Sequence, residues 1–580
     1  MRNYLFGVLI LLCNTTAISQ TGTRLVDTAN AIPVCITNVN VVNVISGKID
    51  KNQSVLIEKG RITAVDRARR VKAPGNAIII DGKDKYIMPG MTDAHIHFFQ
   101  SGGLYTRPDG LNLNRYYAYE KDQQWVKDNR NDLMARYLAC GITTVIDVGG
   151  PMSNYAVRDS VNNNKYAPAT LVTGPLVSTY LPPNLDKNDP PIIKVTTPEE
   201  ARALVRKQLP YKPGFIKIWY IVQRGMTADS TLPIIKATIE ESHTNGLKVA
   251  VHATEYETAK LAVTAGADIL VHSVDDKVLD DEMLQLLKKN NVAYIPTLIV
   301  AQNYRRTFTQ QFGFTAHDFK YANPFMLGTL YDLQHLEKPP LDYKQIRSRI
   351  KVHTKEDSTM FTNLQLAQKA GVLVVSGTDA GNVGTQHASS FHDELLAMQK
   401  AGLSNWEIIK ASTINAAKGF GRENESGSIE KGKIADLLLL EKDPTEDMNI
   451  PATIQTIIHR GEVVKPEQLL PVSPEILVQQ QLNAYNARDI EAFLAPYSDS
   501  VVLYDLSGGE MMRGKQAMRE SYSRLFTNVP ELHCKLVNRM ILGNTIIDQE
   551  KVTGFNEIPL QAIAIYKIED GKIAKVYFTQ

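Results

Sequence analysis

Between residues 87 and 378 the chain repeats one pattern, in which short apolar runs alternate with segments of helical period. The runs lie at 87–95, 143–148, 169–174, 215–220, 248–252, 269–272, 293–300 and 372–378, and several are apolar throughout, as strands buried on both faces must be. The clearest helical stretches between them are 197–208, 230–245, 257–265, 280–290 and 360–370. Eight such repeats predict an α/β fold, a (β/α)8 TIM barrel over 89–423, with its active site at the carboxyl ends of the strands.

The flanks read differently. Short β-runs at 34–44, 54–58, 61–65 and 77–81 are punctuated by Pro74-Gly75-Asn76 and Asp81-Gly82, and a matching block returns at 427–440 and 456–464. Neither block has enough strands to stand alone, so a small β-sandwich domain built from 30–88 and 424–467, with the barrel inserted, is expected. From residue 473 the pattern changes again: Ser473-Pro474 opens a helix over 475–487, a second follows at 490–495, and β-runs occupy 501–505, 533–542, 545–554, 561–569 and 572–578. Asp570-Gly571 between the last two is a hairpin signal. This predicts a separate C-terminal α+β domain over 473–580.

The stretch 301–371 is far longer than an ordinary connection and rich in aromatics, from Tyr304 to Phe325. It reads either as a lid over the site or as added helices packing on the barrel. Loops 98–120 and 181–191 are candidate pocket rims.

Composition narrows the function. With 64 Lys+Arg against 62 Asp+Glu and no basic block, nothing suggests a nucleic-acid partner. Arg2, the apolar run 4–13 and the small residues Ala17 and Ser19 form a signal peptide over 1–19, with cleavage near Ser19 and export to the periplasm or beyond. The run is too short for a stable membrane span, and Leu12 stands before Cys13 where a lipoprotein needs a small residue. Cys35, Cys140 and Cys534 remain, too sparse for a disulfide framework or a Cys-rich zinc site. Any metal must be held by nitrogen and oxygen.

The chemistry concentrates at run ends. His95 and His97 close the first run, His252 the fifth and His272 the sixth, Asp379 follows the eighth, and Lys217 sits inside the apolar fourth. Imidazole and carboxylate suit Zn²⁺, Mn²⁺ or Fe²⁺. His95, His97 and Asp379 can hold one ion, and His252 and His272 a second. Lys217 is costly as a buried cation and is expected neutral or modified; a neutral amine can capture carbon dioxide as a carbamate that bridges two ions. Tyr220 and Arg224 lie just past Lys217, on the loop leaving that run, as candidate substrate contacts, since an arginine there can grip a substrate carboxylate; His387 follows Asp379 on the same rim, either behind the ligands or facing substrate. The remaining histidines, His335 and His533 among them, read as surface or packing residues, and Tyr504, Asp505 and His533 as optional lining of a C-terminal cone pocket.

Pro89-Gly-Met-Thr-Asp-Ala-His-Ile-His97, Ile216-Lys-Ile218, Val249-Ala-Val-His252, Ile269-Leu-Val-His272 and Ser376-Gly-Thr-Asp-Ala-Gly381, with Asn415-Ala-Ala-Lys and the stretch from Gly427 to Asp436, resemble the metal-dependent amidohydrolase superfamily. The likeness, to its imidazolonepropionase-like and prolidase-like branch, covers about residues 30–467. It implies that His95, His97, His252, His272 and Asp379 are metal ligands and Lys217 a carboxylated bridge. The tail, through Tyr485-Asn-Ala-Arg-Asp-Ile-Glu-Ala-Phe493, is similar to NTF2-like (SnoaL-like) cone domains, a fold that by itself assigns no role.

The expected activity is hydrolysis of a C–N bond in a small amide, dipeptide or cyclic amide. Asp379 would serve as general base and then acid, with His272 beside the developing oxyanion. A metal-dependent esterase or lactonase and a non-catalytic binding protein are the readings weighed against it. Self-association through the barrel or the tail is left open.

Overall fold

The computed structural model describes residues 32–555 and 557–579. The expected signal peptide, 1–19, lies outside them. No helix of the described residues is long and apolar enough to cross a membrane.

Eight parallel strands form the barrel: β1 Met91–Ile96, β2 Ile142–Asp147, β3 Ala169–Val172, β4 Ile216–Trp219, β5 Val249–His252, β6 Ile269–Val271, β7 Ala293–Ile295 and β8 Leu373–Val374. Two seams are joined by isolated backbone hydrogen bonds. Gly214 N donates to Val172 O between β3 and β4, while Ala94 N donates to Ser376 O (3.1 Å) and Asp379 N to His95 O (2.7 Å) between β8 and β1. The third strand bends after Val172 and resumes at Leu176–Ser178, whose Val177 and Ser178 register with Ile218 and Trp219 of β4. Inside the barrel Ala94, Ile146, Phe215, Ala250, Val271, Ile295 and Val375 pack together. The opposite faces of the same strands, Ile216, Ile218, Val249, Val251 and Leu270 among them, pack against the helices.

The predicted first run, 87–95, is two strands. Tyr86–Pro89 belongs to the flanking sheet, where it pairs in parallel with Val34–Asn43 and antiparallel with Leu437–Leu440. It joins the two ends of the chain into one eight-stranded β-layer. Gly90 makes the switch possible, since a Cβ there would lie 2.1 Å from Thr143 Oγ1.

Several helices escaped the periodicity, two of them long. Tyr119–Ala139 is 21 residues long, but its first half is largely charged or amide and its buried positions crowd into the second half. Lys515–Asn528 buries only Met518 and Phe526.

The C-terminal domain is a curved six-stranded sheet with helices Pro474–Ala487, Ile490–Leu494 and Lys515–Asn528. It encloses a cavity of about 340 Å³ walled by Tyr485, Phe493, Tyr497, Tyr522 and Tyr566, with Glu550, whose carboxyl burial pushes up to about 7. Tyr504, Asp505 and His533 do not line it, because Tyr504 stacks on Tyr577 and Asp505 caps the turn at Ser507 and Gly509.

The long segment after β7 folds into short helices, Val300–Thr309, Ala316–Tyr321, Pro324–Thr329 and Tyr343–Arg349, before Lys355–Ala370. Tyr321 packs into the barrel core as the added-helix reading expects, whereas Phe312, Phe314 and Phe319 pack on the C-terminal domain. Phe319, Leu327 and Leu330 share one core with Val478, Leu482 and Phe493 of the C-terminal domain. Leu327, Leu330, Val478 and Phe493 are at most 1% exposed. At roughly 1.5–3 kcal/mol for each such side chain, the seam favours firm docking. Tyr304 instead reaches the barrel mouth.

Candidate active site at the barrel mouth

The alternation of a strand decides what β4 offers. Phe215 packs in the barrel interior, Lys217 follows on the same face, and Trp219 lies 5.9 Å ring to ring from His252. Ile218 and Tyr220 take the other face, where the Tyr220 hydroxyl donates to Ala228 O at 2.6 Å. Tyr220 therefore anchors a helix and does not line the mouth as expected. Arg224 is exposed on the loop beyond it.

His252 continues the inward face of β5. His272 does not follow the period: Val271 already points inward, and a φ of +74° at His272 swings the imidazole back toward the axis. Asp379, at φ +64°, is turned in the same way. Left-handed backbone at non-glycine residues is uncommon and is held only where the surroundings enforce it. On β1 the register shifts between Asp93 and Ile96, so His95 as well as Ala94 faces inward.

The six side chains converge. Ring centroids of His95 and His97 are 5.4 Å apart, those of His95 and His272 4.8 Å, and those of His252 and His272 4.3 Å. Asp379 Oδ1 lies 3.3 Å from His95 Nε2 and 3.1 Å from His97 Nε2. The ligand atoms of His95, His272 and Asp379 all fall within 4.8 Å of one another. Lys217 is 1% exposed and its Nζ has no hydrogen-bond partner; burial pulls the amine down to about 7. Burial likewise pulls His95 down to about 4 and His252 and His272 well below the usual imidazole value, so these rings are neutral donors.

This arrangement fits a cation. His97 Nδ1 faces the Gly149 carbonyl at 2.7 Å and must donate to it, which leaves Nε2 as the nitrogen opposite the Asp379 carboxylate. Two electron-rich atoms facing each other at 3.1 Å are stable only with positive charge nearby. His272 Nδ1 is tied to Thr297 Oγ1 at 2.7 Å, and neither ring nitrogen of His95 is hydrogen-bonded. Orphaned nitrogens this deep are what a metal would satisfy.

A supporting layer was not visible in the sequence. Asp93 accepts from Thr378 Oγ1 (2.7 Å) and Thr378 N (3.0 Å), clamping β1 to the segment that carries Asp379. Asp147 accepts from the backbone of Phe98 and Gly149, fixing the carbonyl that orients His97. Asn382 Nδ2 donates to Asp379 Oδ1 at 2.7 Å, while its Oδ1 accepts from Arg107 Nη1 (2.5 Å) and Tyr304 OH (2.9 Å). The two donors permit only one amide orientation, so Asn382 holds Asp379 in place. The rest of the Arg107 fork is closed by Asp109 at 2.8 and 2.6 Å, so Arg107 orients this network and is not free for a ligand. The only local signal was Asn382 standing three residues after Asp379.

His387 takes the place behind the ligands and does not face substrate. Nδ1 accepts from Tyr137 OH at 2.9 Å and Nε2 donates to Gln100 O at 2.8 Å, so the buried ring ties the helix Tyr119–Ala139 to the loop after β1.

Asn382→Ala is expected to lower kcat about 10- to 100-fold with little change in metal content, because Asp379 loses its fixed rotamer but stays in place. Steady-state kinetics beside metal analysis checks this.

Residues 86–466 match the amidohydrolase family and residues 478–576 a SnoaL-like domain. The chain belongs to the amidohydrolase family. A 268-residue match at 25% identity covers 46% of the chain and 61% of uncharacterized proteins of Mycobacterium tuberculosis, so the chain spans about three-fifths of the length of these relatives. An imidazolonepropionase of a Geobacillus species is 22% identical over 445 residues, covering 71% of this chain and 87% of that protein. A solved Xaa-Pro dipeptidase with bound methionine aligns with a TM-score of 0.58 at 21% identity, over 75% of this chain and all of the other, a likeness of fold.

Proposed function

We propose that the protein is an exported, metal-dependent amidohydrolase that cleaves the C–N bond of a small amide, dipeptide or cyclic amide. The observation that carries this is the meeting of His95, His97, His252, His272, Lys217 and Asp379 at the mouth of the barrel. His95, His97 and Asp379 would hold one cation; His252 and His272 would hold a second, with a carbamate on Lys217 between them. Zinc is the first expectation for such donors, with manganese or iron next. A bound divalent ion supplies an acidified water and polarises the scissile carbonyl.

The remaining work falls to the chain. Asp379, oriented by Asn382, takes the proton of the attacking water and returns it to the departing nitrogen, a general base and then a general acid. His272, with Nδ1 held by Thr297, has Nε2 as its one nitrogen left for the mouth, either to hold an ion or to face the developing oxyanion.

The test is a library of dipeptides and N-acyl amino acids beside matched esters and lactones, run before and after chelation with metal analysis of the purified chain. Amide turnover lost on chelation and restored by Zn²⁺ or Mn²⁺ is expected. Turnover confined to esters would move the assignment to an esterase, and turnover surviving exhaustive chelation would end the metal reading.

A further inference from the structure

A second group of donor atoms lies away from the barrel mouth, where the segment after β7 meets the C-terminal domain. A cavity of about 570 Å³ opens between them. His335, just past the short turn Asp332–Gln334, enters from the barrel side, and His533, the first residue of strand His533–Leu542, enters from the other. Their ring centroids are 4.1 Å apart, and the two Nε2 atoms face each other more closely than in an ordinary hydrogen bond. His533 is 2% exposed.

Two neutral imidazoles facing through Nε2 can share one hydrogen at most, and the facing nitrogen then presents only its lone pair. Burial favours the neutral form of both rings, pulling His335 down to about 4 and His533 well below its usual value. More donors stand beside them. The Tyr331 ring lies 5.9 Å from that of His533, and its hydroxyl is buried without a partner. Asp332 accepts from Tyr105 OH with one carboxylate oxygen, leaving the other.

We propose that His335 and His533 bind a divalent transition-metal ion that ties the C-terminal domain to the barrel. Tyr331 and cavity water complete the coordination, since two protein nitrogens alone leave such an ion short of ligands. Lys535, Lys551 and Arg488 add positive charge around the pair, which Asp332 and Glu337 in the same cavity offset. That balance selects ions with high affinity for imidazole, Cu²⁺ and Zn²⁺, over Mg²⁺ or Ca²⁺. The site is separate from the barrel mouth and does not depend on what the barrel hydrolyses.

The experiment uses the full chain, stripped with chelator and reloaded from a buffered Zn²⁺ solution. His335→Gln and His533→Gln should each hold one ion per chain fewer than the unaltered protein. In a second background, with the barrel donors removed as His95→Ala and His252→Ala, one Cu²⁺ should remain, with an electron paramagnetic resonance spectrum split by imidazole nitrogen. That signal should vanish when His533→Gln is added. Equal metal content in the unaltered chain and both single variants overturns the site, as does a barrel-depleted chain that binds no copper. Should the single variants fail to fold, the copper spectrum decides alone.

Discussion

Asp379→Asn is expected to lower kcat by about three orders of magnitude while much of the bound metal stays. General base catalysis contributes about 10²–10⁴ in rate, and on the proposed reading the same carboxylate would both take and return the proton, so a loss no smaller than the middle of that range is expected. Three orders correspond to about 4 kcal/mol of transition-state stabilisation. The asparagine is nearly the same size, and the positive φ of +64° at this position is one that asparagine tolerates well, so the mouth should keep its shape. The imidazoles of His95, His97, His252 and His272 remain as donors. Steady-state turnover with metal analysis on one preparation separates the two effects. Unchanged hydrolysis would remove Asp379 from the chemistry, and loss of all metal would make it a ligand before it is a base.

Much of this site could be read from the chain because barrel strands announce themselves. Runs buried on both faces are apolar throughout, so a histidine or lysine within one has few structural explanations. His252 and Lys217 are placed by period two alone. Where the reading failed, it ignored that same period: Tyr220 stands three residues after Lys217 and so faces the helices. His272 and Asp379 reach the mouth against the strand period, through left-handed backbone that no hydrophobic pattern encodes. Arg107 and Asn382 come from two separate loops and Tyr304 from the helix Val300–Thr309, and their meeting depends on loop conformations with no periodic signal. The helix Tyr119–Ala139 was hidden for a related reason, since its charged first half has no apolar stripe to count. His335 and His533 looked like packing residues because they are 198 positions apart and belong to domains whose docking a sequence does not show.

Lys217→Met should be nearly as damaging as loss of Asp379, and for a different reason. The lysine stem crosses the barrel interior, and methionine preserves most of that apolar volume, so the fold should survive. What is lost is the amine, which is 1% exposed among four imidazoles with no partner for its Nζ. A cation there would be unpaired in low dielectric, at a cost of several kcal/mol. A carbamate answers the problem by turning the end of the side chain into an anion suited to bridge two cations. On that reading the Met variant retains fewer ions per chain than the native protein, and kcat/KM falls about a thousandfold, again about 4 kcal/mol. Native protein stripped of metal and reloaded should recover faster with bicarbonate present, whereas the Met variant should be indifferent to it. A variant that keeps full metal content and turnover would show that the amine is only a space-filling stem and the site mononuclear.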